Sequence, residues 1–394
     1  MLPRIFVCAV SLLFVLGHCA QAQLPWEQIE APQAGQDREL AALTVEAIMA
    51  KLGVPGVSIA VITGAGLIES RCYGMADVES GAPVTPETRF QAASISKTLC
   101  AVAVMQAVER GLFSLDDDVQ NLLKSWRLPE YKWSKKHPVT PALLLSHTAG
   151  ATVHGFPGYA PGAPLPTVQD ILNGKGNTGK VEIRSQPGKA FHYAGGGITM
   201  LQLLLTETTG RDFPELLEEW VLAPCGMKHS SFAQPPSEEV AALSARAHNL
   251  KGARMDAPWH VYPEMAAAGL WTTPTDLCRF AVAAQAALRG DADALLTRDS
   301  AERMLTRGPV GPVGLGFFLK GEGEQPAIFE HSGGNWGFQC HFFAHRSAGL
   351  GTAIMTNSEG GNKLIGELNA RIAQALAWEK LMGDDKKPAA SGRR

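Results

Sequence analysis

The chain has 394 residues, with 35 Lys and Arg against 38 Asp and Glu, so its formal charge is −3. Hydrophobic residues make up 45% of it, enough for a large core and too many for a disordered chain. So small and evenly spread a charge excludes the basic surface of a nucleic-acid binder. The length suits about two to three domains, or one large enzyme domain carrying an insertion.

Residues 1–22 read as a secretory signal peptide. Arg4 supplies a short basic start, 5–16 an apolar run, and Ala20-Gln21-Ala22 a small-residue cleavage site before Gln23. The run is shorter than the ~20 residues a helix needs to cross a bilayer. No later segment resembles a span, so stable membrane insertion is not expected, and the mature chain is placed in the periplasm or medium. Cys8 and Cys19 leave with the signal. Cys72, Cys100, Cys225, Cys278 and Cys340 remain. They are odd in number, scattered and without a C-x-x-C pair, which argues against a disulfide framework or a thiolate metal site. They read as small buried hydrophobes.

After a Pro/Gln-rich lead-in at 23–35, helical periodicity runs over 39–52 and stops at Gly53-Val54-Pro55. The β-branched run at 56–62 predicts a strand, with 67–74 as its hairpin partner. A buried helix is expected at 96–110, closed by Gly111. Shorter helices follow at 139–146, 167–173, 198–210 and 213–222. The Gly/Pro-rich stretch 151–166 predicts a long loop of the kind that lines sites. Strand-like sequence returns at 313–319, 327–330, 338–345 and 351–356. A helix at 363–381 closes the fold, and the tail 384–394 reads as disordered. Strands at both ends with helices between suggest an α/β domain interrupted by a helical one.

Several hydrolase and cofactor signatures are absent: G-x-S-x-G, H-E-x-x-H and G-x-G-x-x-G. His341 and His345 share one side of a strand about 13 Å apart, too far to form a metal pair. Asp116-Asp117-Asp118 reads as a solvated turn. His147 follows an apolar helix and reads as structural rather than catalytic.

One S-x-x-K occurs, Ser94-Ile95-Ser96-Lys97. On a helix, three residues bring both side chains to one face. A serine hydroxyl is a poor nucleophile at neutral pH, and a neighbouring amine that takes its proton activates it.

With its surroundings, the motif resembles a known family. Phe90-Gln91-Ala92-Ala93 leads into Ser94–Lys97, and L-L-L-S-H-T-A-G follows at 143–150. Pro187-Gly188-Lys189-Ala190-Phe191-His192-Tyr193-Ala194-Gly195 resembles a second motif, and His331-Ser332-Gly333-Gly334 a third. Gly269-Leu270-Trp271-Thr272-Thr273-Pro274-Thr275-Asp276-Leu277 and Met355-Thr356-Asn357 resemble later family segments. This ordered set resembles the serine β-lactamase/DD-peptidase superfamily, nearest its class C-like branch with esterase and D-amino-acid peptidase relatives.

The resemblance implies an α+β fold (an α/β sandwich) of the β-lactamase/transpeptidase type. An antiparallel sheet is flanked by helices and carries an inserted all-helical domain, with the site between them. The hydrolase domain would span 23–383, with sheet parts near 38–90 and 280–383 and the helical part near 91–279. Ser94 would be the acylated nucleophile, and Lys97 and Tyr193 would share its proton. The Ser94 and Gly334 N–H groups would form the oxyanion hole, and His331, Ser332, Gly333 and Gly195 would meet the substrate.

Two positions depart from the β-lactamase pattern. Gly195 stands where an Asn is usual, and His331 stands where a Lys is usual. An unperturbed His is mostly neutral at pH 7, so both departures weaken the case for efficient β-lactam hydrolysis and leave the acylation machinery in place.

The sequence therefore predicts an exported serine hydrolase needing no metal or organic cofactor. It would act on esters, small amides or D-amino-acid peptides, with weak β-lactamase activity. The alternatives are a true class C-like β-lactamase and a non-catalytic penicillin-recognition scaffold. The partner expected is a small-molecule substrate, not nucleic acid, and no sequence feature specifies an oligomeric state.

Overall fold

The computed structural model describes residues 24–33, 35, 36 and 38–382. The signal peptide, the cleavage site before Gln23 and the tail 384–394 lie outside the described residues.

Among the described residues, nine strands form two sheets. They are β1 (Gly56–Thr63), β2 (Leu67–Asp77), β3 (Ala82–Pro83), β4 (Phe90–Gln91), β5 (Trp271–Thr272), β6 (Phe318–Lys320), β7 (Ile328–Asn335), β8 (Phe338–His345) and β9 (Gly351–Thr356). Seven of them make one antiparallel sheet in the order β3-β2-β1-β9-β8-β7-β6, while β4 and β5 form a separate two-stranded ladder. The N-terminal hairpin and the C-terminal strands thus join at the β1–β9 pair. Between β4 and β5 the regular elements are all helices, joined by long loops.

Alternation along the central strands gives the sheet two buried faces. Val57, Ile59 and Val61 of β1 pack with Ile354 of β9 under the helices Val45–Leu52 and Gly361–Ala375. Ala60 and Ile62 join Phe342, Ala353 and Met355 on the other face, in the larger core with the helices Ser96–Glu109 and Pro274–Arg289. Every residue from Ser96 to Ala107 is buried. A helix apolar nearly all round belongs inside a protein, and this one fixes the motif at its N-terminus against the sheet.

Several elements differ from the sequence expectation for identifiable reasons. The helix expected from residue 39 starts at Val45, capped by the Thr44 side chain. The Leu40, Ala41 and Leu43 carbonyls accept instead from the Arg371 guanidinium. β7 continues five residues beyond Glu330, because pairing with β8 carries the glycine-rich His331–Asn335 segment into the ladder. Strand 313–319 shrinks to β6, since Gly316 at φ 86 turns the chain against Ala101. The last helix breaks at Ala377, φ 55, before a final turn at Glu379–Met382. The helix Pro274–Arg289 was not anticipated, although Thr273 caps it and Pro274 opens it, a recognisable start signal.

All five described cysteines are free; four are buried and Cys72 is half-buried. His341 and His345 have separate partners. His341 faces Glu330 at 3.5 Å, and His345 Nδ1 accepts from the Ser347 and Ala348 N–H groups.

Arg371 joins the chain ends. Fully buried, it bonds Glu367 at 2.9 Å and reaches the carbonyls of Ile29, Ala31, Leu40, Ala41 and Leu43. A buried guanidinium is stable only when so fully partnered. Arg371→Leu leaves Glu367 with Arg38 as its remaining partner and strands several carbonyls, and it should cost about 3–5 kcal/mol. Urea unfolding checks this; a loss under about 1 kcal/mol would show that the N-terminal segment is held by its apolar contacts alone.

Candidate active site

Ser94 lies in a 3₁₀ turn, Ala93–Ile95, that leads directly into the helix Ser96–Glu109. Ala93 has φ 49, a left-handed conformation that disfavours a residue with a Cβ. The turn is held from three sides. Ser96 Oγ donates to Ala93 O and accepts the Leu270 N–H. The Ala92 N–H donates to Leu270 O, and Cys340 Sγ reaches Ala92 O. The two serines of the motif therefore divide their work: Ser96 is buried structure, while Ser94 is half-buried and faces a cavity.

Lys97 follows one turn later and is 2% exposed. Its ammonium donates to Ser94 Oγ at 2.9 Å and to the Ala267 carbonyl at 2.6 Å. The same Nζ sits 5.2 Å from the centre of the Tyr193 ring, within cation–π range. Tyr193 is enclosed by the rings of His147 at 4.3 Å, His154 at 5.0 Å, Phe318 at 6.1 Å and His331 at 6.3 Å.

Tyr193 precedes the helix Gly195–Thr209, which begins three residues earlier than the sequence suggested. The three glycines at 195–197 explain this. The loop after Ala151 lies across the helix start, so the Gly195 N–H donates to His154 O and the Gly196 N–H to Val153 O. A Cβ at Gly196 would stand 2.5 Å from Thr152 O. At Gly195 it would meet the Phe156 ring at 2.9 Å and His154 O at 3.2 Å. The space an Asn side chain would need is thus filled by His154 and Phe156. These two residues and Gly155, rather than Gly195, line the cavity. Val153, at φ 65, strains the loop into this path.

On the opposite side, β7 pairs with β6 only through Glu330. Beyond it, Ser332, Gly333 and Gly334 border the same cavity of about 600 Å³ as Ser94, Lys97, Tyr193 and His331. Gly333 packs so closely on the nucleophile turn that a Cβ would fall 2.2 Å from Ala92 O. Asn335 Nδ2 donates to Gln91 Oε1 and Ala268 O. All the expected site residues except Gly195 therefore border one cavity, and Gly195 lies just behind its wall. The loop expected at 151–166 thus lines the cavity through His154, Gly155 and Phe156.

The two buried histidines beside Tyr193, His331 and His147, are neutral for the same reason. Burial, with Lys97 nearby, pushes His331 down to about 3 and His147 well below its ordinary value. His331 Nδ1 donates to the Ser332 carbonyl at 2.6 Å, so its proton sits on Nδ1. His147 Nδ1 accepts the Ala194 N–H at 3.2 Å, so its proton sits on Nε2.

Glu264 was not singled out by any motif. It is fully buried, and neither carboxyl oxygen has a partner among the described residues. Its backbone carbonyl accepts the Ala267 and Ala268 N–H groups, which orients the peptide whose oxygen holds Lys97.

The family model described as Beta-lactamase matches residues 41–377, and the chain belongs to that family. It is 25% identical to the putative penicillin-binding protein PbpX of Bacillus subtilis (strain 168), over 84% of this chain and 77% of that one. It is 28% identical to a β-lactamase of Pseudomonas fluorescens, over 62% of this chain and 63% of that protein. The solved structure of SurE with D-Leu superposes with a TM-score of 0.69 at 26% identity, covering 88% of this chain and 77% of SurE. An octameric penicillin-binding protein homologue from Pyrococcus abyssi, 24% identical, shares the fold with a TM-score of 0.69, over 84% of this chain and 77% of that one.

Burial raises the Glu264 carboxyl from 4.5 to about 7. Below pH 4.5 both folded and unfolded states hold its proton. Between 4.5 and 7 only the folded state does, so stability falls as pH rises through that window. Glu264→Gln removes this loss, worth up to about 3 kcal/mol above pH 7. Thermal melts at pH 4 and pH 8 should show the variant gaining on the parent at pH 8. An equal difference at both values would mean that Glu264 ionises normally.

Proposed function

We propose that the protein is an exported serine hydrolase that works through an acyl-enzyme on Ser94. The observation that carries this reading is the buried Lys97 ammonium, 2.9 Å from Ser94 Oγ and 5.2 Å from the Tyr193 ring, at the floor of an open cavity. Ser94 Oγ attacks the substrate carbonyl as its proton passes to the Tyr193 oxygen, which acts as the base in its phenolate form beside the Lys97 ammonium. The Ser94 and Gly334 N–H groups stabilise the oxyanion. Collapse breaks the bond to the leaving alcohol or amine, which departs with that proton. Water then attacks the ester carbonyl and gives a proton to the same base; collapse breaks the acyl–Oγ bond, releases the carboxylic acid and returns that proton to Ser94 Oγ. A non-catalytic scaffold would have no need to bury a lysine against a serine.

Turnover of p-nitrophenyl acetate tests the assignment. Ser94→Ala should abolish it, while Lys97→Ala and Tyr193→Phe should each lower kcat by roughly 10²–10⁴-fold. Full activity in Ser94→Ala would refute the nucleophile.

The lining favours neutral esters, small amides or D-amino-acid peptides over carboxylate-bearing β-lactams. Among the described lining residues the permanent cation is Lys97, already engaged, whereas His331 is neutral and Glu330 is acidic. SurE, solved with D-Leu, adds weight to a D-amino-acid substrate.

His331→Lys supplies the missing charge. A charge-assisted hydrogen bond contributes about 1.5–3 kcal/mol, so kcat/KM for nitrocefin should rise roughly tenfold to a hundredfold. The ester rate should change much less. An equal rise on both substrates, or near diffusion-limited nitrocefin hydrolysis by the parent, would favour a true β-lactamase.

A further inference from the structure

We infer that His147 is a positioning residue for Tyr193, using its ring nitrogen and its backbone carbonyl to clamp the chain on both sides of that tyrosine. The inference rests on the reading of Tyr193 as the proton-transfer partner of Ser94.

The clamp consists of two hydrogen bonds from one residue. The His192 N–H donates to His147 O at 2.8 Å. The Ala194 N–H donates to His147 Nδ1 at 3.2 Å. Tyr193 is the residue between them. His147 also lays its ring against the Tyr193 ring, with centroids 4.3 Å apart at a tilt of 37°. Phe191 meets the other side of the imidazole edge-on at 6.1 Å. One residue therefore fixes the backbone before and after Tyr193, by its carbonyl and its ring nitrogen, and packs its ring on the tyrosine between.

Three features show that the clamp is built into the fold. His147 adopts φ 55, a conformation a non-glycine residue keeps only where its surroundings over-determine it. This turn presents the carbonyl and the ring to the same stretch of chain. Ala194 is 3% exposed and sits at the N-cap position of the helix Gly195–Thr209, where no side chain caps the helix. Its N–H would otherwise be a buried donor without a partner, a costly state. Finally, the acceptor must be unprotonated to take that N–H, and burial beside Lys97, His331 and His154 keeps the imidazole neutral.

A phenylalanine at 147 keeps a ring but has no acceptor, while an asparagine keeps an acceptor where Nδ1 stood and loses the ring. His147→Phe should lower kcat about 10–100-fold with KM changed less than threefold. His147→Asn should recover most of that loss.

The deciding measurement is a double-mutant cycle with Tyr193→Phe, read as kcat on p-nitrophenyl acetate, with circular dichroism and a thermal melt on every variant. If His147 acts through Tyr193, adding His147→Phe to Tyr193→Phe should lower kcat no further. Losses that multiply would overturn the inference, because they would show an effect not routed through Tyr193. A fully active Tyr193→Phe would instead remove the proton-transfer reading on which the inference rests. Should His147→Phe not fold, His147→Ala replaces it in the cycle. If every variant lacking the acceptor unfolds, His147 is a structural residue only, and the inference falls.

Discussion

The site depends on one buried ammonium. Lys97 is almost fully out of water, and an ammonium there must have hydrogen-bond partners. It finds Ser94 Oγ, the Ala267 carbonyl and the face of Tyr193. Each partner comes from a different part of the chain: the turn ahead of the helix, the segment before β5, and the strand-like lead into the helix Gly195–Thr209. The enclosing helix is buried nearly all round, and the sheet closes over it through β7. Removing any of these supports takes one partner from the buried charge, so the same packing that stabilises the core also positions the serine.

Backbone strain is concentrated at this point. Of the four non-glycine residues with positive φ among those described, three stand directly behind the site: Ala93 before Ser94, Val153 before His154, and His147 against the Tyr193 ring. Ala93 turns Ser94 toward the cavity. His147 presents two acceptors to the chain around Tyr193. Val153 brings the loop across the start of the glycine-led helix. Such conformations cost on the order of 1–3 kcal/mol each and persist only when neighbours enforce them. Their clustering here is consistent with a site whose geometry is held in advance of substrate.

The sequence made the catalytic constellation legible because Ser94, Lys97, Tyr193, His331 and Gly334 lie in short segments with fixed spacing and order. The central strands were legible from β-branched runs. Other features depend on distant partners. The glycine-rich end of β7 becomes a strand only by pairing with β8, and residues 39–44 leave the helical path because Arg371, far along the chain, takes their carbonyls. The absence of an Asn at 195 was visible, whereas its replacement by His154 and Phe156 depends on how a loop folds back. Glu264 carries no motif at all; only its burial without a partner marks it. The helix Pro274–Arg289 shows a different kind of gap, since Thr273 and Pro274 announced its start within a segment recognised only for its family likeness.

The central claim is that Ser94 forms a covalent ester during turnover. Intact-mass measurement after rapid mixing with p-nitrophenyl acetate, followed by peptide mapping, tests it directly. The account predicts one acyl group per chain, on the peptide containing Ser94, appearing with a burst of p-nitrophenol and decaying at the turnover rate. Turnover without any adduct on that peptide, or an adduct on another residue, would contradict it.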